Sequence, residues 1–272
     1  MTNAMRNSRI EKLHFNQVIN QIRDLPALPA IVHDLMKNIS PDETDIHVIT
    51  RKVSMDQALS AKTLQFANSS FYGLQSKVTT IQQAITLIGV NAVRHVVTAT
   101  ALTAYFPPNN CAGFDFFALW RHSVATAVCA RVLARHLHVN QDYAFTAGLL
   151  HDIGRLVLVT YFRSEYEAVI AYRNEHDCHW LIAEREVLGV DHVMAGDALA
   201  AHWNFSETIR HAIAGHHNPE QQTVRSLASI VHVADAIAHA LDLSHLENDL
   251  VPPISHLSLI HISEPHETRG NL

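Results

Sequence analysis

The segment Leu149-Leu150-His151-Asp152-Ile153-Gly154-Arg155 sets an imidazole beside a carboxylate in an otherwise apolar stretch. At a helix end, such a pair offers one nitrogen and one oxygen ligand, and the carboxylate can bridge two cations. Gly154 is expected to let the backbone turn away there without a side-chain clash. Four other segments carry compatible groups. They are Trp120-Arg121-His122-Ser123, Gly189-Val190-Asp191-His192, Gly215-His216-His217-Asn218-Pro219 and Val231-His232-Val233-Ala234-Asp235.

Together these give a ligand set of His122, His151, Asp152, His192, His216, His217 and Asp235, all nitrogen and oxygen. Such a set suits one or two divalent transition-metal ions, Fe or Mn, with no organic cofactor. A dinuclear centre would polarise a phosphoryl oxygen and acidify a bridging water, the logic of phosphoester hydrolysis. In that chemistry Asp152 is the catalytic carboxylate, and Arg155 would grip phosphate bidentately. Neighbouring residues on a helix point about 100° apart, so His216 and His217 cannot both be assumed ligands, and at least one of them is expected to be one.

Histidine is over-represented, with 21 copies against 20 for Lys and Arg together, so an isolated His-Asp pair carries little weight. His14, His33, His47, His95, His136, His138, His176 and His179 are read as surface or capping residues. His202, His211 and His232 are candidates for partners that orient the ligands.

The elements that must position these groups are helical. Ser40-Pro41-Asp42-Glu43, Ser54-Met55-Asp56-Gln57 and Thr80-Ile81-Gln82-Gln83 each read as a helix start with a reciprocal cap, and Ser206 starts another helix. Ile81, Ala84, Ile85 and Ile88 follow the spacing of one buried helical face, and Val124, Ala127, Val128 and Val132 mark one side of a helix beginning near Trp120. No alternating strand pattern stands out. The predicted class is all-α. Pro107-Pro108-Asn109-Asn110 is the strongest internal breaker. It divides a helical N-terminal subdomain (15–108), preceded by a tail (1–14), from a central helical core (111–245). The last stretch (246–272) is expected to be peripheral.

The chain has 272 residues, 48% of them apolar and 17% charged, with a net charge of -6. Mild acidity argues against nucleic-acid binding, which needs clustered Lys and Arg. Ile85 to Arg94, with Gly89 in a turn, has the outline of a helix-turn-helix, but too few basic residues accompany it. Three dispersed cysteines, Cys111, Cys129 and Cys178, indicate neither a disulfide framework nor a thiolate zinc site. No signal peptide or membrane span is expected, so the predicted location is the cytoplasm. Phe66, Phe71, Tyr72 and Trp203 are expected to be core or subdomain-interface aromatics.

The order of the ligand set, H…HD…H…HH…D, resembles the HD superfamily of metal-dependent phosphohydrolases. The flanking phrases resemble one branch of it, the HDOD (HD-related output domain) family. These are Leu25-Pro26-Ala27-Leu28-Pro29, Leu64-Gln65-Phe66-Ala67-Asn68-Ser69, Phe71-Tyr72-Gly73, Leu87-Ile88-Gly89, Leu119-Trp120-Arg121-His122-Ser123, Ala147-Gly148-Leu149-Leu150-His151-Asp152-Ile153-Gly154 and Ala201-His202-Trp203-Asn204. The resemblance spans about residues 18 to 240. It implies a multi-helix bundle, an N-terminal helical subdomain packed on an HD-like core. It also implies an output or regulatory module of bacterial signal transduction that works through a signalling protein partner.

Three departures bear on activity. The paired histidines are followed by Asn218-Pro219-Glu220-Gln221-Gln222, without the Gly-Tyr-Pro segment of the HD-GYP phosphodiesterases. Ala118 stands where some of those enzymes have a glutamate, and Arg155 replaces the usual lysine. The expectation is therefore a regulatory module with a retained metal centre. The alternative is a working phosphohydrolase acting on a phosphomonoester, nucleotide or cyclic dinucleotide.

Overall fold

A computed structural model describes residues 12–28, 30–37, 46–68, 77–219, 226–243 and 250–255, and among them there is no strand. The first group of helices is α1 (Phe15–Arg23), α2 (Ala30–Lys37), α3 (Ile46–Met55), α4 (Gln57–Ala67), α5 (Ile81–Ile88) and α6 (Val90–Tyr105). A loop through Pro107 and Pro108 follows, held by the Asn109 side-chain amide donating to the Val159 carbonyl at 3.0 Å. The second group is α7 (Phe116–His136), α8 (Gln141–Leu150), α9 (Ile153–Tyr161), α10 (Arg163–His176) and α11 (Trp180–Val187). It continues with α12 (His192–His202), α13 (Glu207–Gly215) and α14 (Leu227–Ala240). The all-α expectation is borne out.

Side chains that satisfy free backbone N–H groups set where helices start. The Thr80 hydroxyl accepts from the Gln83 N–H at 3.1 Å to open α5, and the Ser206 hydroxyl accepts from the Ile209 N–H at 3.4 Å to open α13. At Ser54 the expected start is misplaced, because that residue lies inside α3. Asp56, in extended conformation, caps α4 instead and accepts from the Leu59 N–H at 3.0 Å. The expected cap at Ser40 lies outside the described residues.

The predicted buried face of α5 is correct at Ile81, Ala84 and Ile85. The valines of α7 are not buried: Val124, Val128 and Val132 are 46%, 39% and 44% exposed. The face that α7 turns inward carries Leu119, His122, Ser123, Thr126, Ala127, Ala130 and Ala134. Small side chains are on that face because α8 crosses it closely. A Cβ placed on Gly148 would lie 2.8 Å from the Ala127 Cα.

Gly154 answers a similar demand. It sits in the first turn of α9 rather than at a turn away from the helix, and a Cβ there would lie 1.9 Å from the His192 carbonyl oxygen. The expectation that it serves backbone freedom is therefore corrected: it serves the α9–α12 crossing. These two contacts bring α7, the α8–α9 junction and α12 to one point.

The segment around α1 docks on this second group. The Leu13 N–H donates to the Leu188 carbonyl at 2.7 Å, and the Trp203 indole N–H donates to the Pro26 carbonyl at 3.3 Å. Trp203 is buried against Tyr105 and Phe106, with ring centroids 5.5 and 6.0 Å away, as expected of an aromatic joining the two groups. Phe66 is 36% exposed and is not a core residue, whereas Phe71 and Tyr72 lie outside the described residues.

Candidate metal centre

Five elements or junctions meet at the site. His122 comes from α7, His151 and Asp152 from the α8–α9 junction, His192 from the first turn of α12, His216 and His217 from just beyond α13, and Asp235 from α14. All seven residues of the predicted ligand set are gathered here. They fall into overlapping groups whose candidate ligand atoms lie within 4.8 Å of one another: Asp152 with His192, His216 and His217; His122 with His151 and Asp152; and His122 with Asp235 and His239.

Asp152 occupies the middle. Its Oδ1 lies 3.3 Å from His192 Nε2 and 3.8 Å from His216 Nε2, while its Oδ2 lies 3.7 Å from His151 Nε2. Asp235 Oδ1 lies 2.9 Å from His122 Nε2, 3.7 Å from His151 Nε2 and 3.2 Å from His239 Nε2. His217 Nε2 stands 3.0 Å from His192 Nε2, so both paired histidines face the cluster. The helical-wheel argument against two ligands fails because the pair follows the helix rather than lying within it.

Three of the rings have their tautomer set from behind. A backbone carbonyl or a carboxylate can only accept, so the ring nitrogen facing it must donate. His151 Nδ1 donates to the Gly148 carbonyl and His216 Nδ1 to the Ile213 carbonyl, both at 2.7 Å. His192 Nδ1 donates to Glu184 Oε2 at 2.6 Å, and the Tyr166 hydroxyl donates to Glu184 Oε1 at 2.9 Å. In its neutral form each of these rings presents an Nε2 lone pair to the cluster. The buried His216 Nε2 has no hydrogen-bond partner. Converging lone pairs beside two carboxylates fit a divalent cation, and imidazoles oriented by such outer partners are the usual arrangement around one.

Charge follows the same logic. Burial opposes ionisation of Asp152, yet His151, Arg155 and His192 outweigh it and hold the carboxyl well below its usual range. Burial likewise opposes ionisation of Asp235, which hydrogen bonds from His122 and His239 hold low. Burial, then His151 and His192, push His216 down to about 3. His217 is also pushed well below its ordinary value, by burial and by His216 and His192. His192 is opposed by burial but raised by Glu184 and Asp152.

Arg155 is buried, and its Nη1 donates to Asp152 Oδ2 at 2.9 Å. Its Nε donates to the Tyr166 hydroxyl at 3.4 Å, and its guanidinium lies 4.4 Å from the centre of the Trp180 ring. The Arg173 guanidinium lies 4.5 Å from the same ring. A cavity of about 180 Å3 opens beside the cluster, lined by ligands, by Arg155, Arg173 and Trp180, and by Leu250, Pro252 and Pro253. The described part of the last stretch is thus not peripheral. The Ser255 N–H donates to His232 Nε2 at 3.1 Å, and His232 Nδ1 donates to the His216 carbonyl at 2.8 Å.

His232 thus contacts the backbone of a candidate ligand, and two other candidates for an orienting role are elsewhere. His211 is exposed and pairs with Glu207, and His202 faces the Leu25 carbonyl. Two residues were missed. His239 follows Asp235 by one helical turn, a spacing that alone could have flagged it. Glu184 had no local signal. His95, expected at the surface, is buried against Phe145.

The chain matches the HDOD domain family over residues 25–219, and it belongs to that family. Among solved structures it is similar to an HDOD domain protein from Geobacter sulfurreducens, with a TM-score of 0.78 at 24% identity over 92% of this chain and 88% of that one. It is also similar to a candidate phosphohydrolase from Shewanella amazonensis, with a TM-score of 0.70 at 25% identity over 90% and 92% of the two chains. An uncharacterized protein of Treponema pallidum is 24% identical over 234 residues, 83% of this chain and 44% of the relative. Ribonuclease Y of Thermoanaerobacter pseudethanolicus is 35% identical over 121 residues, 44% of this chain and 18% of that protein. The chain thus spans less than half the length of these two relatives.

Proposed function

We propose that this chain is a regulatory HDOD module, holding one or two Fe or Mn ions and passing a signal to a protein partner. His122, His151, Asp152, His192, His216, His217 and Asp235 would hold the metal, with His239 completing the Asp235 side. The free cysteines Cys111, Cys129 and Cys178 fit a reducing cytoplasm.

The observation that carries the regulatory reading is how Arg155 is engaged. Asp152, Tyr166 and Trp180 surround it, so its charge serves the carboxylate rather than an incoming phosphate. The cavity supports the same reading. At about 180 Å3, bordered by Leu250, Pro252 and Pro253, it is smaller than ordinary small-molecule sites of roughly 300 Å3 or more.

A working phosphohydrolase is the second reading. It is favoured because that cavity touches Asp152, His192, His217 and Asp235, and by the similarity to the Shewanella candidate phosphohydrolase. Bound metal would there supply a polarised phosphoryl oxygen and an acidified water. Asp152 would be among the residues holding the metal, and Arg155 would set the orientation and charge of Asp152.

Metal analysis of the purified chain, followed by turnover of a chromogenic phosphodiester and of a nucleotide panel, separates the readings. The regulatory module predicts bound metal without turnover. Turnover that Asp152→Asn abolishes would establish the enzyme, and absence of metal after reconstitution would overturn both.

A further inference from the structure

Residues 250–255 run along one side of the cavity beside the histidine–aspartate cluster. Leu250, Pro252 and Pro253 line it there, and His179, Trp180, Leu181 and Ile182 line it from the start of α11. Ile182 and Pro253 are the exposed members of the lining, so the mouth of the cavity lies between them.

This segment is stiff. Proline fixes φ at residues 252 and 253, and a residue before proline is held extended, here Val251 and Pro252. It carries no charged side chain. At its far end the Ser255 N–H donates to His232 Nε2 at 3.1 Å.

The segment is also lightly held. Pro252 is the one buried residue of the six, and Val251 and Ile254 are 48% and 38% exposed. Ordering each residue costs conformational entropy that so little burial scarcely offsets. Segments of that kind open well before the whole protein unfolds. His232, the anchor, belongs to α14, which is buried along most of its length and stays in place when the segment leaves.

We propose that residues 250–255 are an intramolecular strap that gates the site. Seated, the strap closes one side of a cavity of about 180 Å3. Released, it opens that side and admits larger molecules to the cluster. The gate serves a regulatory or a catalytic site alike, and naming a metal as what it shields rests on the metal-centre reading.

The test uses the full chain with Ser255→Pro, which removes the anchoring N–H, and Pro252→Gly, which removes the buried ring and the stiffness. Uptake of manganese and its loss to excess chelator are timed separately. Both rates rise in both variants, by roughly fivefold for Ser255→Pro, the effect of one lost hydrogen bond on the opening equilibrium. Affinity stays unchanged, because a gate speeds entry and exit alike. A faster loss alone, with weaker affinity, overturns the proposal, since Ser255 would then act by orienting His216 through His232. Unchanged rates overturn it as well. Acrylamide quenching of the metal-free chain is the second readout, and Trp180, in the cavity lining, reports it. Both variants gain quenching that Trp180→Phe removes. Equal quenching in parent and variants overturns the strap whether or not metal binds. Added quenching in a chain that takes up no metal supports the strap and removes the metal centre.

Discussion

The Gly154 backbone and the His192 carbonyl are packed so closely that a Cβ on Gly154 would lie 1.9 Å from that oxygen. A contact that short cannot be relieved by a rotamer, because both partners are main chain. Gly154→Ala must push α9 and α12 apart, and with them Asp152 and His192. We expect a loss of at least 1–3 kcal/mol, about the cost of overpacking, with lowered metal content, checked by urea unfolding and metal analysis.

Asp152→Asn removes the charge that balances Arg155 and replaces one of the two oxygens shared between neighbouring histidine groups. Metal content should fall sharply. Stability should drop by roughly 3 kcal/mol, because a buried cation loses its partner. Adding Arg155→Met should restore much of the stability and none of the metal. If both properties recovered together, Asp152 would be structural only.

Glu184 accepts from His192 Nδ1, so it would act on a bound metal only through that ring. Glu184→Gln keeps the shape but weakens the acceptor that sets the His192 tautomer. We expect metal affinity to fall roughly 10–100-fold, with secondary structure preserved. Competition with a chromogenic chelator reads this directly, and unchanged affinity would remove Glu184 from the site.

His95 gives a dependence on pH. Its folded value lies near 3 and its unfolded value near 6.5. Between these the unfolded chain binds a proton that the folded chain does not, so stability falls as pH falls. The His95 share of that slope is at most about 1.4 kcal/mol per pH unit. Chemical unfolding from pH 7 to pH 4 should show a shallower slope in His95→Phe than in the parent. Equal slopes would mean that the ring charges in place.

The clustering of the seven predicted residues could be read from the sequence because each sits at a helix end or on an inward helix face, beside signals that local rules capture. His151 and Asp152 lie at the α8–α9 junction, and His192 lies next to the Asp191 cap. Glu184 was invisible for the opposite reason. It sits in Trp180-Leu181-Ile182-Ala183-Glu184-Arg185-Glu186, where one acidic residue among others is buried only because α10 and α12 pack around it. The α7 valines misled in a similar way. Apolar spacing identified a helix face, but the close α8 crossing at Gly148 admits only small residues, which leaves the larger valines outside.

Trp180 has a consequence of another kind. The excited state of an indole responds to charges held over its ring, and here two guanidiniums from the cavity beside the histidine–aspartate cluster hold that position. An anion entering the cavity and drawing on either arginine would change the colour of Trp180 emission. The other two tryptophans, Trp120 and Trp203, do not line that cavity. The protein thus carries a built-in optical gauge of its own site, readable without a label.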